Sequence, residues 1–385
     1  MQLSRRNALK SIAAIGAAAA WPMARAETAG GEWVVGQISP LSGPQGPLSG
    51  QQTTGIQLAF AKANAAGGVG GKALKLISRD DQYLAAEATR QFDALLDSGV
   101  KPIALVGAFG TENTGALIKS PSFVRAGLPL VGGRTGASVL RAANNRQVFH
   151  LRASYHDEIE KIVEQLTNNG VKDIGIVLQS GGLGQDCLAG LKASLQKRGL
   201  APGRSVEIDL GATRVPAAVK ALAEATPQAL IVAASAAPAV AFLREFRKSS
   251  AFTQVFGIST IDPDLLINTL GAQGARGIML TEIMPDQVQK QLLFTRDFLA
   301  DIKQYGEGRV VPGFAAAEGY LVGRVFIEAL RRASPNPTPA KIAEALEAMS
   351  NYDVGGIPIN FSRNDHVGTH YVDTAVVSNS GKLQY

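Results

Sequence analysis

The sequence predicts an α/β chain of two doubly wound, Rossmann-like lobes, and three observations predict it. The chain is long for a single hydrophobic core: removing a leader at residues 1–26 leaves 359 of its 385 residues, and a chain of that size divides into domains. Short apolar strands alternate with amphipathic helices from Trp33 onward, the signature of parallel sheets covered on both faces. The same rhythm begins again after residue 150.

Taken in order, the strand Trp33–Ser39 precedes a helix Gly50–Ala66, in which Ile56, Phe60 and Ala63 share a face and Gly67-Gly68 provides the stop. A strand Ala73–Arg79, a helix Ala85–Asp97, a strand Ile103–Gly107, a helix Asn113–Ala126 and a strand Leu128–Gly132 complete the first series. The second series reads helix Tyr155–Asn169, strand Ile174–Gln179, helix Leu183–Arg198, strand Ser205–Leu210, helix Val215–Ala225, strand Ala229–Ala233 and helix Pro238–Ser249. Strands Gln254–Ile258 and Gly277–Thr281 follow. The end of the chain differs, with three helices (Asp286–Tyr305, Phe314–Arg332, Pro339–Met349) and a β-rich tail (Ile357–Phe361, Tyr371–Val377). The expected lobes are 27–152 plus 283–355 and 153–282 plus 356–385.

Residues 1–26 read as a secretory signal. A basic start, Ser4-Arg5-Arg6-Asn7-Ala8-Leu9-Lys10, leads into the apolar run Ser11–Ala20, and Ala24-Arg25-Ala26 has the small-x-small form of a cleavage site after Ala26. The Arg pair favours the twin-arginine route, although Ala8 stands where that signal usually carries Phe. Export to the periplasm is the expectation. The net charge of +6 falls to +2 without the leader, because Arg5, Arg6, Lys10 and Arg25 lie in it with no acid beside them. With no dense Lys/Arg stripe, nucleic acid is not expected as a partner. The one cysteine, Cys187, sits near Leu188 and Leu191 in a helical pattern, which marks a buried apolar residue and allows no internal disulfide. No stretch after residue 26 is apolar for long enough to span a bilayer.

In open parallel sheets ligands lie beyond the carboxyl ends of strands, where helix N-termini present free N–H groups that favour anions. The first series offers Ser39–Pro44, the loop 107–114 with Phe109, Gly110, Thr111, Asn113 and Thr114, and the loop 132–136 with Gly133, Arg134 and Thr135. Any one of them is explained by helix capping alone, since Ser, Thr and Asn are ordinary caps; their agreement along one sheet points to a site. The second series offers loops 179–184, 234–237 and 257–260. Leu183, Ser235, Ala236 and Ser259 in them make a small, neutral facing wall.

At these residues the chain resembles the leucine/isoleucine/valine-binding family of type I periplasmic solute-binding proteins, the substrate-binding components of branched-chain amino acid ABC transporters. Ser42-Gly43-Pro44, the segment Asn64–Gly71, Asp80-Asp81, Val106-Gly107, Leu128-Pro129, the segment Phe149–Arg152 and Phe361-Ser362 carry the resemblance over nearly the whole exported chain. It implies two lobes joined by three crossing strands, closure on a ligand, and a permease in the cytoplasmic membrane as partner. It also implies that Thr111 holds the ligand carboxylate, with the Gly133 carbonyl and Thr135 on the ammonium side. The chain departs from the family in the opposite lobe: tyrosines match near Leu183 and Ala236, and the acid that pairs with the ammonium matches near Ser259. An ammonium there lacks its counter-charge, which costs several kcal/mol in effective terms. A carboxylate with an apolar or aromatic body suits the site better, and Arg134 in place of a small residue points the same way. The family's bridging cysteines match near Tyr83 and Gly110, so both are absent together.

Other motifs yield little. Gly67–Lys72 ends a helix and lacks G-x-x-x-x-G-K-[ST], so it reads as a turn. His366 and His370 read as a surface loop and not a metal site, and the Asp80 and Asp81 side chains should point apart. His150 and His156 read as hinge packing. Tyr155 and Phe314 suit either the cleft or the core, and Glu318, in the helix Phe314–Arg332, suits a buried polar contact at the lobe interface. There is no G-x-S-x-G elbow or other catalytic set. The expectation is therefore a monomeric, cofactor-free, non-enzymatic binding protein of an ABC importer, taking a small organic acid or amino-acid-like ligand. A ligand sensor feeding a membrane receptor or regulator is the alternative.

Overall fold

The computed structural model describes residues 30–142, 145–249, 253–286 and 291–385. The expected secretory signal at residues 1–26 lies outside the described residues. The first lobe is built on a five-stranded, all-parallel sheet of order β2-β1-β3-β4-β5, formed by β1 (Glu32–Ser39), β2 (Ala73–Asp80), β3 (Leu105–Val106), β4 (Leu130–Val131) and β5 (Val148–Phe149). Its helices are α1 (Gly46–Ala65), α2 (Ala85–Asp97), α3 (Thr111–Lys119) and α4 (Pro121–Ala126). The expected single helix Asn113–Ala126 is two: Pro121 cannot continue α3, and Ser120 adopts an extended ψ and caps α4 by accepting the Phe123 N–H.

The second lobe holds a seven-stranded sheet of order β14-β13-β10-β9-β8-β6-β7. Its parallel strands are β6 (Ile174–Gln179), β7 (Ser205–Ile208), β8 (Ala229–Ala233), β9 (Gln254–Gly257) and β10 (Met279–Glu282). β13 (Asp373–Val377) and β14 (Leu383–Gln384) add antiparallel edges. Helices α5 (Tyr155–Asn168), α6 (Gly182–Gln196), α7 (Val215–Glu224) and α8 (Ala236–Ser249) connect the strands in the predicted order. A helix the sequence reading missed, α9 (Pro263–Ala275), joins β9 to β10 and is interrupted at Gly271.

Three later helices, α10 (Leu293–Tyr305), α11 (Phe314–Arg332) and α12 (Pro339–Glu347), return to the first lobe, where α11 lies along α1 and α10 touches both. The helix expected from Asp286 starts instead at Leu293, after the extended Leu292. The hairpin β11 (Tyr352–Asp353) and β12 (Pro358–Ile359) precedes β13. The chain thus crosses between the lobes three times, after β5, after β10 and before β13.

Cores form on both sides of each sheet. Phe294, Phe298, Tyr320 and Phe326 pack under the first sheet, and Phe242, Leu243 and Phe246 pack under the second. Cys187 is fully buried among Ile159, Leu191 and their neighbours, and burial pushes its thiol pKa well up. Among the described residues, no helix is long and apolar enough to cross a membrane.

Candidate functional site

A parallel sheet leaves a crevice where consecutive connections leave from opposite sides of a strand. In the first sheet that point lies between β1 and β3, and in the second between β6 and β8. The two crevices face each other and enclose one cavity. Gln45 and Leu48 line it from the α1 start, Tyr83 from beyond β2, Phe109, Gly110 and Thr111 from beyond β3, and Arg134 from beyond β4. The second lobe contributes Tyr155, Leu183, Ser235 and Thr260. The space inside is ≈ 20 Å³ for the centre of a water-sized sphere, room for about one water. A larger open groove of ≈ 680 Å³ lies at the amino ends of β1 and β3, around Trp33, Leu96 and Ile103. That is the end of a parallel sheet that does not bind ligands.

Of the residues singled out from sequence, Phe109, Gly110, Thr111, Arg134, Leu183 and Ser235 line this cavity. The others do not. Thr135 stands behind the wall, its hydroxyl 2.9 Å from that of Thr111 and accepting the Ala137 N–H. The Thr114 hydroxyl is buried without a protein partner. Asn113 lies against Asp81, whose carboxyl pKa burial raises to about 6 while Asn113 and the Tyr83 N–H oppose the rise. Gly133 and Ala236 take places in the loops behind Thr114 and at the start of α8. Ser259 is taken up by other protein groups, described next. Gln45, Leu48 and Thr260 are cavity residues that the sequence reading did not single out, and Tyr155 is one it left undecided. Tyr83 and Gly110, the places of the absent cysteines, are neighbours: a Cβ on Gly110 would lie 2.6 Å from the Tyr83 ring.

Behind the cavity runs a buried chain of charge. Arg134, 7% exposed, is paired with Glu318 of α11 and lies over the Phe109 ring at 5.7 Å. The other Glu318 oxygen takes Arg152 at 3.3 Å. Arg152 also donates to the Ser259 hydroxyl, which in turn donates to Glu158 at 2.9 Å. Glu158 further accepts the Ser259 N–H at 2.7 Å and the Thr281 hydroxyl. Burial works against the Arg152 charge, but Glu318 and Glu158 outweigh it and its pKa rises. Burial, and then Glu158, push the pKa of the Glu282 carboxyl beside them well up. Glu318 and Glu158 are committed to protein donors, and among the described residues no acidic residue lines the cavity. Buried ions are held only when paired and hydrogen-bonded in this way.

The lobes are shut over the cavity. A Glu112 carboxylate oxygen in the first lobe accepts the Gly182 N–H at the start of α6, at 2.6 Å. Further along α6 the Asp186 carboxylate accepts the Ser138 N–H of the first lobe at 3.0 Å. Glu112 is exposed, so its contribution is modest. Glu112→Ala is expected to enlarge the ligand-free protein in small-angle scattering and to speed ligand release roughly two- to fivefold.

The remaining histidines are structural. His370 Nδ1 lies 3.1 Å from Asp157 on the surface. His366 departs from the surface-loop expectation: it is only 10% exposed, stacks on Phe149 at 4.1 Å and reaches Glu347 at 3.3 Å. Among the described residues, no cluster of His, Cys, Asp and Glu could hold a metal.

A family profile described as periplasmic binding protein matches residues 32–382. The chain belongs to the periplasmic binding protein family. Solved structures agree with this binding-protein fold. A substrate-binding periplasmic protein from Ralstonia solanacearum is 33% identical, with a TM-score of 0.85 over 91% of this chain and 99% of that one. A possible leucine/isoleucine/valine-binding protein from Rhodopirellula baltica is 27% identical, with a TM-score of 0.85 over 92% and 95%. A branched-chain amino acid ABC transporter protein from Thermus thermophilus with bound valine is 18% identical and shares the fold, with a TM-score of 0.81 over 92% and 94%. No curated protein matches the chain.

Proposed function

We propose that this protein is the extracytoplasmic substrate-binding component of an ABC importer, and that it captures a small carboxylic acid with an apolar or aromatic body and no α-ammonium group. The lobes 27–152 plus 283–355 and 153–282 plus 356–385 close over the ligand, and the closed form is what a membrane permease meets. The protein works as a monomer in the periplasm, after cleavage behind Ala26.

One observation carries the choice of ligand. Among the described residues Arg134 is the single charged side chain lining the cavity, and no acid lines it. An ammonium group there has no counter-ion, and the acids behind the wall are already committed to Arg134, Arg152, Ser259 and Thr281. A donor, in contrast, is available: the Gln45 Nε2 group is buried with no protein partner, on a residue that lines the cavity. Leu48, Phe109, Leu183 and the Tyr83 ring suit an apolar body. Names on the same fold include a protein with bound valine and a fatty acid ABC transporter substrate-binding protein from Thermomonospora curvata. Valine and a fatty acid share a carboxylate and differ in the ammonium.

Two matched pairs test this by thermal shift: 4-methylpentanoate against leucine, and 3-phenylpropanoate against phenylalanine. Within each pair only the α-ammonium changes. At a hundredfold excess over Kd a ligand adds about 2.7 kcal/mol, so the acids should raise Tm by several degrees and the amino acids should not. Tight leucine binding with no response to either acid overturns the proposal.

A further inference from the structure

We infer that Tyr155 sets the specificity of the cavity: its phenol is the second lobe's contact with the ligand's acidic head and donates its O–H to it. This rests on the carboxylate reading above and adds a residue and a direction of hydrogen bonding to it.

The position of Tyr155 is fixed by the chain around it. Ser154 and Asp157 form a capping box: the Ser154 N–H donates to Asp157 at 2.8 Å, and the Asp157 N–H donates to the Ser154 hydroxyl at 3.0 Å. Tyr155 is thereby the first residue of α5, and its N–H donates to the Gly136 carbonyl of the first lobe at 2.8 Å. The ring lies against Gly136, where a Cβ would come within 2.4 Å of it. Only glycine at 136 admits the ring in this place. Tyr155 is 1% exposed and lines the cavity. Burial raises the pKa of its phenol, while Arg152, the Gly136 backbone and the Thr111 side chain oppose the rise.

The surrounding hydroxyls give the direction. Thr111 is paired with Thr135, their hydroxyls 2.9 Å apart, and Thr135 is fully buried behind the wall. The Tyr155 phenol opens on the cavity and stands outside that pair, so its O–H is left for the ligand. A phenol is also a stronger donor than an aliphatic hydroxyl. The other second-lobe residues at the cavity are Leu183, which is apolar, and Ser235 and Thr260, whose hydroxyls already donate to Gln179 and the Ala234 carbonyl.

The test is calorimetric titration of wild type and Tyr155→Phe with 4-methylpentanoate, 3-phenylpropanoate and the primary amide of each. The variant keeps the ring and loses only the hydroxyl, and its unliganded Tm shows whether the fold is intact. Expected are roughly tenfold weaker binding of the acids and a reduced preference for acid over amide, a ratio that a purely structural role leaves unmoved. Acids that bind wild type and the variant equally overturn this inference and leave the carboxylate reading standing. Acids that bind neither protein overturn both.

Discussion

Glu318→Ala is expected to destabilise the protein by about 3–5 kcal/mol, because it leaves Arg134 buried with no counter-charge and Arg152 with only Glu158, 3.8 Å away. Both guanidinium groups share this one carboxylate, and it is 2% exposed. The loss corresponds to a Tm decrease on the order of 10 °C, readable by calorimetry. Arg134→Met is the comparison. Glu318 keeps Arg152 in that variant, so a smaller loss of stability is expected, together with loss of acid binding. A Glu318→Ala protein as stable as wild type would show that Arg134 and Arg152 find other partners or water.

Gly55→Ala should be comparably damaging. Helices α1 and α11 approach so closely that a Cβ on Gly55 would sit 1.9 Å from the Ala316 carbonyl oxygen, and one on Gly319 would sit 2.0 Å from that of Gln52. The obstacles are backbone atoms, which no rotamer change moves, so the helices must separate and open the core around Tyr320 and Phe326. A cost of ~3 kcal/mol or more is expected, read as insoluble expression or an early denaturant midpoint. Gly50→Ala in the same helix is the control. No atom lies within 4 Å of its Cβ, so helix propensity predicts a gain of about 0.5–1 kcal/mol.

These two features mark where reading the sequence reached its limit. Strand and helix order was legible because short, wholly buried apolar runs alternate with segments of helical period, and elements such as Ala85–Asp97, Ile174–Gln179, Ala229–Ala233 and Phe314–Arg332 appear with the expected ends. The missed helix α9 carries Gly271 and Gly274 inside an apolar stretch, which breaks its period. β3 and β4 are only two residues long because the chain soon turns outward to make the site. Within the site, Phe109 to Thr111, Arg134, Leu183 and Ser235 were legible as loops following strands. The bond between Arg134 and Glu318 joins residues 184 positions apart, and no local pattern encodes such a partner. Ser259 looked available for the same reason: Arg152 and Glu158, which occupy it, come from another strand end and another helix. Tyr155 carried a real local signal, the Ser154–Asp157 cap, but its direction depends on the missing side chain of Gly136.

The buried thiol of Cys187 has a practical consequence. It is the chain's one sulfhydryl and is shielded inside the second lobe, so reagents that modify exposed thiols find no native target. A cysteine engineered on the rim, at Glu112 for instance, would be the one labelled site. A fluorophore there would report each opening and closing of the cleft on a background free of native signal.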